Sequence, residues 1–272
     1  MPYKWPLSLD LLKRQYDIIC SNHAFEGLTP YFSIAGTCRI QLFGQTGYFT
    51  TDPQNIEAIL STKFEDYNLG SRRLAFLPLL GEGIFTQDGP AWKRSRELIR
   101  RQFARVQKQT LQALTPQVNG LVSAISEAAV DVDGRVDLKP FLLEYTLNTT
   151  TMLLFGEPHS SIPTEKRNAV RDNFDYAAFG CGIRARLANA AWLYNPSKFR
   201  TACKSVREWA TFFAARAINC IDELGEAEAA RRYPFIVDLW KEMKDFEFVR
   251  DQLLHILVAG RDSTASLLCW TL

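Results

Sequence analysis

The stretch FEFVRDQLLHILVAGRDSTASLLCWTL, Phe246 to Leu272, decides how the rest of the chain is read. It contains no proline, and at 1.5 Å per residue a helix of this length runs ~40 Å, enough to cross a whole domain. Leu253-Leu254-His255-Ile256-Leu257-Val258 and Leu267-Leu268-Cys269-Trp270 are apolar all round, which is how a helix buried on every side reads, so a central helix is predicted. Between them Ala259-Gly260-Arg261-Asp262-Ser263-Thr264-Ala265 is out of character. A glycine inside a helix costs about 1 kcal/mol relative to alanine, and a carboxylate among apolar neighbours needs pairing or solvation.

Two readings of that insertion stand side by side. In the first, Gly260 removes a side chain where a flat ligand could approach, Ser263 supplies a hydroxyl one turn along the same face, and Asp262 adds an ionisable group. That set suits proton delivery to a bound oxygen species, since general-acid transfer needs a donor within hydrogen-bonding reach. In the second, the insertion is a helix kink, with Ser263 and Thr264 bonding back to carbonyls and Asp262 paired with Arg261.

Upstream, the pattern predicts a mainly α protein with a small β-hairpin. Short extended runs on either side of Gly44-Gln45-Thr46-Gly47 predict a hairpin across Thr37 to Thr51 with a four-residue loop. Asp52-Pro53 supplies a capping side chain before a proline at the first helical position. The same grammar recurs at Asp88-Gly89-Pro90, opening a helix through about Arg105, and at Asn195-Pro196, opening one through about Leu224. Asp133-Gly134 marks a turn before a helix from Pro140 that Gly156 closes. No internal repeat or linker divides the chain, so one domain, or one piece of a domain, is expected.

Trp92 and Arg96, four apart on the helix opened by Pro90, share a face and offer an indole N–H and a guanidinium fork to one anionic group, with a carboxylate pair as the natural guest. Arg94, Arg100, Arg101 and Arg105 make the same helix basic, and a solvated amphipathic face is the alternative reading.

Composition sets bounds on what the chain does. A hydrophobic fraction of 47% and a charged fraction of 23% in 272 residues allow a real core, and 32 basic against 30 acidic residues give no general drive toward nucleic acid or anionic membrane. Cys20, Cys38, Cys181, Cys203, Cys220 and Cys269 are scattered with no C-x-x-C pair, and read as reduced thiols in a cytosol-facing protein. His23, His159 and His255 show no metal spacing. No run of eighteen apolar residues occurs and Met1 to Leu12 lacks a signal-peptide layout, so a soluble, cytoplasmic chain is expected as given.

In their order, GEGIFTQDGPAWKRSR (Gly81 to Arg96) followed by Arg101-Gln102-Phe103, the segment Tyr194 to Arg200, and Ala259 to Thr264 resemble the cytochrome P-450 superfamily of haem-thiolate monooxygenases, from about Phe32 to Leu272, in its fungal alkane- and fatty-acid-hydroxylating branch. The first carries the family's W-x-x-x-R pattern and the last its A-G-x-D-T-T pattern. The resemblance implies an incomplete helical monooxygenase domain spanning 1–272, ending at the long oxygen-binding helix. It implies haem as cofactor, held by Trp92 and Arg96 at a propionate and overlain by Ala259 and Gly260. Asp262, Ser263 and Thr264 become the catalytic set, Asp262 feeding protons and Ser263 donating toward dioxygen. Ser263 stands where most relatives have threonine, so the hydroxyl survives without the methyl that stiffens its rotamer, and looser oxygen activation is expected.

The family's E-x-x-R helix and cysteine-ligand loop have no counterpart up to Leu272. Phe179-Gly180-Cys181-Gly182 does not match that loop's spacing, and Cys269 reads as packing. The chain alone is therefore expected neither to bind haem as a thiolate nor to turn over substrate, and a non-catalytic helical module without cofactor is the alternative function. Implied partners are dioxygen, an NADPH-dependent reductase met by Lys93, Arg100 and Arg101, and a hydrophobic substrate met by Phe76, Leu77, Leu80, Phe85, Phe174, Tyr176 and Phe179. An upstream anchor in a longer product would place it on the cytosolic face of the endoplasmic reticulum.

Overall fold

A computed structural model describes residues 4–21, 29–42, 45–106, 110–131 and 134–272. The chain forms two compact units, 1–68 and 69–272.

In the first unit, helix α1 (Leu9–Cys20) precedes a two-stranded antiparallel sheet, β1 (Thr37–Leu42) and β2 (Gln45–Thr50), and a short helix α2 (Pro53–Glu57). Asp52 caps α2 through Gln54 N and Asn55 N, with Pro53 in the first turn, as the Asp-Pro pair predicts. The expected four-residue loop is corrected. Register pairs Leu42 with Gln45 and Ile40 with Gly47, so Gln45, Thr46 and Gly47 belong to β2, while Gly44 lies outside the described residues. Cross-strand chemistry explains the longer ladder: the Thr37 and Thr50 hydroxyls lie 2.9 Å apart, and Gly47 leaves room for the Ile40 side chain.

The second unit is helical, with α3 (Arg72–Leu80), α4 (Gly89–Val106), α5 (Thr110–Asp131), α6 (Leu138–Phe155), α7 (Thr164–Leu187), α8 (Ser197–Leu224), α9 (Glu226–Arg232), α10 (Pro234–Met243) and α11 (Phe246–Thr271). α4 and α8 begin and end close to where the sequence places them. α6 starts at Leu138, two residues before the expected Pro140, because Asp137 accepts from Lys139 N, and it closes at Gly156 in a left-handed conformation. Of the turn expected before it, Asp133 lies outside the described residues.

The core is the meeting of α6, α8 and α11. α8 turns Phe199, Val206, Ala210, Phe213 and Ala217 inward at helical spacing. Phe155 of α6 stacks on Phe213 at 4.7 Å between centroids and meets Trp209 edge-on at 5.2 Å. α11 is buried continuously from Val249 to Leu257, apart from the half-buried Arg250. Its second half departs from the expectation of burial on every side: Leu267 is 66% and Trp270 86% exposed. None of the described helices is long and apolar enough to cross a membrane.

Candidate functional site

Three neighbours of α11 determine what its insertion does. α6 crosses α11 at Gly260, where a Cβ would lie 2.7 Å from the Thr150 hydroxyl oxygen and 3.1 Å from its methyl. The glycine is thus required by a close helix crossing, and the gap it leaves is filled by Thr150. α7 supplies Asp175, which pairs with the fully buried Arg261 at 2.6 Å, while Arg261 also holds Asp262 at 3.0 Å and lies 4.8 Å from the centroid of the Phe174 ring. Burial raises the Asp262 carboxyl above its usual range, Arg261 opposes this, and Asp175 reinforces it. The Ser263 hydroxyl donates to the Ala259 carbonyl at 2.5 Å. Of the features expected of a structural insertion, the Ser263 back-bond and the Arg261–Asp262 pair are present, whereas among the described residues Thr264 makes no such bond and α11 runs as one helix through the insertion.

The third neighbour is the segment between α3 and α4. Glu82 N donates to the Asp251 carboxylate at 3.0 Å, and Phe85 N donates to Nδ1 of His255 at 3.2 Å. Asp251 and His255 are one turn apart on α11 and share a face. Asp251 is also bound by Arg207 at 3.1 Å and Arg250 at 2.9 Å, yet burial still raises its carboxyl above the usual range. His255 is fully buried, and burial pushes its imidazole down to about 4, so the ring is neutral and its Nδ1 free to accept.

A cavity of about 480 Å³ opens among these elements. α11 lines it with His255, Ile256, Ala259, Gly260 and Thr264, α4 with Ile99 and Phe103, the intervening segment with Ile84 and Phe85, and α6 with Tyr145, Thr149, Thr150, Leu153 and Leu154. The sequence-predicted residues divide accordingly. Ala259, Gly260 and Thr264 come together in the cavity wall; Asp262 and Ser263 do not line it, nor do Trp92 and Arg96. Trp92 and Arg96 do meet each other, the guanidinium 5.4 Å from the centroid of the indole ring. They fall on the same stripe of α4 as Ile99 and Phe103, one to two turns nearer its N-terminus. Among the described residues no carboxylate pairs with Arg96, which is exposed.

These residues fit a haem. The face of α11 that carries Ala259 and Ser263 is exposed, the adjoining cavity is apolar, and Arg96, held over an indole, has its fork available to an anionic group. Among the described residues no cysteine lines the cavity, and the buried thiols of Cys181 and Cys203 are pushed up to about 12 and about 11 by burial. No group of three potential metal ligands occurs among the described residues. Of the seven residues proposed to face substrate, only Phe85 lines the cavity; Phe174 packs beneath Arg261, Tyr176 lies under Lys198, and Phe179 is exposed. Of the three proposed to meet a reductase, Arg101 is committed to Glu242 at 2.6 Å.

Sequence reading missed the pegs His255 and Asp251 and the partners Thr150 and Asp175. A signal for the first pair existed: two glycines two apart, Gly81 and Gly83, and a carboxylate and imidazole one turn apart on a buried helix.

Comparison with known proteins gives this geometry a family. The cytochrome P450 family model matches residues 5–272. The chain is 37% identical over 244 residues to cytochrome P450 52A13 of Debaryomyces hansenii, covering 85% of this chain and 46% of that protein. It is 36% identical over 259 residues to cytochrome P450 52A3-A of Candida maltosa, covering 91% and 48%. To cytochrome P450 monooxygenase g430 of Fusarium sp it is 33% identical over 288 aligned positions, covering 98% and 50%. The chain spans about half the length of these relatives.

Proposed function

Since this chain belongs to the cytochrome P450 family, we propose that it furnishes the oxygen-side wall of the haem pocket in a monooxygenase that inserts one atom of dioxygen into a hydrophobic substrate. Residues 1–272 are read as part of one such domain. Bound haem supplies the redox chemistry that activates dioxygen. The observation that carries the reading is the conjunction of an exposed Ala259–Ser263 face, an apolar cavity beside it, and an exposed Arg96 guanidinium, without a carboxylate partner among the described residues, on the cavity-lining stripe of α4.

In this reading Arg96, stiffened by the Trp92 ring, binds a propionate, and the small Ala259 side chain lets a flat ring approach α11. Asp262, whose carboxyl burial raises above its usual range, stands next to Ser263 as the group that relays a proton. Phe85, Ile84 and Ile256 exclude water and favour an apolar substrate. Lys93 and Arg100, both exposed, remain for an acidic reductase, where they act on association rate more than affinity. A cytosolic setting, at the endoplasmic reticulum face where an anchor is present, follows from the same reading.

Haem titration of the purified chain, followed by Soret absorbance and tryptophan quenching, tests it. Saturable uptake is expected, weakened about 10- to 100-fold by Arg96→Ala, as for loss of a charged hydrogen bond. A thiolate-type Soret band in the reduced, carbon monoxide-treated sample is not expected from this chain. The back-bonded Ser263 and the Arg261–Asp262 pair favour a second reading, a helical module without cofactor. Absence of uptake supports that one instead, and uptake indifferent to Arg96→Ala removes Arg96 from the haem site.

A further inference from the structure

We propose that His255 is a positioning residue that, with Asp251, pegs the strap 81–86 to α11 and thereby fixes the ring of Phe85 in the cavity wall, setting which shapes of hydrophobic molecule the cavity admits. The inference rests on the reading above only in taking the cavity as the substrate's.

The strap is closed on itself and then fastened. The Thr86 hydroxyl donates to the Gly81 carbonyl at 2.7 Å, and Gly83 N donates to the Thr86 hydroxyl oxygen at 3.0 Å. With that loop formed, the amides of Glu82 and Phe85 point outward to α11 and meet Asp251 and His255. The approach is so close that side chains are forbidden: at Gly81, where φ is +68°, a Cβ would run into the Asp251 carboxylate, and at Gly83 it would run into the imidazole ring. The two pegs have different duties. Asp251 is shared with Arg207 of α8 and Arg250, so it anchors the strap to the helical core. His255 lines the cavity itself, and its bond is to Phe85, which presents its own ring to the cavity, 5.6 Å from the imidazole between centroids. Because Nδ1 accepts, the ring must carry its proton on Nε2. The bond to the Phe85 amide therefore needs an acceptor at that point in space, which an asparagine oxygen also provides.

That substitution separates positioning from bulk packing. The variants are His255→Leu, which removes the acceptor, His255→Asn, which keeps one, and Gly83→Ala, which pushes the strap off an unaltered imidazole and serves if His255→Leu does not fold. The readouts on the purified chain are amide hydrogen exchange in residues 81–86 and the ratio of dissociation constants for two apolar probes, rod-shaped diphenylhexatriene and disc-shaped pyrene. His255→Leu and Gly83→Ala are expected to speed exchange at Glu82 and Phe85 by about tenfold or more, the scale of one lost buried hydrogen bond, and to shift the probe ratio. His255→Asn is expected to restore both. Phe85→Ala is expected to shift the ratio while leaving Glu82 exchange unchanged. The proposal is overturned if the strap stays protected in both disrupting variants, if it loosens with the ratio unchanged, if asparagine fails to rescue, or if the parent binds neither probe. Haem uptake measured in parallel keeps the two readings apart, because its loss bears on the monooxygenase assignment and leaves strap and probe results standing.

Discussion

Replacing His255 by asparagine should flatten the acid limb of the stability curve. The imidazole is pushed down to about 4 by burial, whereas an unfolded histidine titrates near 6.5. Between those values the unfolded chain binds the additional proton, so stability falls as pH drops through the window and is fully present above it. Integrating one proton over that interval from pH 7 to pH 4.5 gives a loss of about 2 kcal/mol from this residue. The asparagine oxygen in the His255→Asn variant accepts from the Phe85 amide but does not titrate, so that loss should vanish. His159 is also buried with its pKa lowered, and the raised carboxyls of Asp251 and Asp262 act in the opposite sense at the acid end, but all three are common to both proteins and cancel in the difference. Urea unfolding at pH 7, 6, 5 and 4.5 measures it. Curves for parent and variant that run parallel to within about 0.5 kcal/mol, smaller than a single hydrogen bond, would refute the claim that a neutral imidazole is built into this core.

Other consequences follow from α11. Gly260→Ala should cost about 1–3 kcal/mol by overpacking against Thr150, and adding Thr150→Ala should recover more than half, as a thermodynamic double-mutant cycle would read. Arg261→Met keeps apolar volume but removes the cation that opposes burial at Asp262, so the carboxyl titration midpoint, followed by carbon-13 NMR, should rise; an unmoved midpoint counts against the pairing. In a haem-loaded, reductase-supplied form, Ser263→Thr should raise product formed per reductant consumed, since the added methyl restricts a hydroxyl now held only by its bond to the Ala259 carbonyl. An unchanged ratio would remove Ser263 from the catalytic set.

Helix boundaries were legible because their signals are local. Asp-Pro and a terminal glycine act within one turn, and α2 and α6 obey them, while α8 starts directly after Asn195-Pro196 with Pro196 itself at the N-cap and no side-chain cap. The hairpin loop was misjudged for the same reason in reverse: Gly47 looks like turn chemistry in one dimension, but in the sheet it is the residue that accommodates Ile40 across the strand. At the site, sequence singled out residues on α4 and α11, of which Ala259, Gly260 and Thr264 line the cavity, while leaving their duties open. Gly260 reads as an opening for a ligand until Thr150, over a hundred positions upstream, is seen in its place. Arg261 reads as a partner of its neighbour Asp262, and only packing reveals Asp175 as the closer carboxylate.

The periodicity of α11 concealed most because each of its sides is apolar or small for a different reason. The side bearing Asp251 and His255 receives backbone amides, so its polar atoms are consumed and it counts as core. The side bearing Gly260 receives a helix crossing, and the side bearing Arg261 neutralises a buried cation against α7. Ala259, Ser263, Leu267 and Trp270, all exposed, lie within roughly a quarter turn of one another on what remains. A hydrophobicity average cannot distinguish that stripe from the buried sides. Three sides fixed by specific partners hold the helix rigidly, and rigidity is what a small, uncovered face requires if it is to hold a flat cofactor and a nearby proton donor in register. The placement of those partners therefore supports the haem-wall reading more directly than the hydroxyl and carboxylate from which it began.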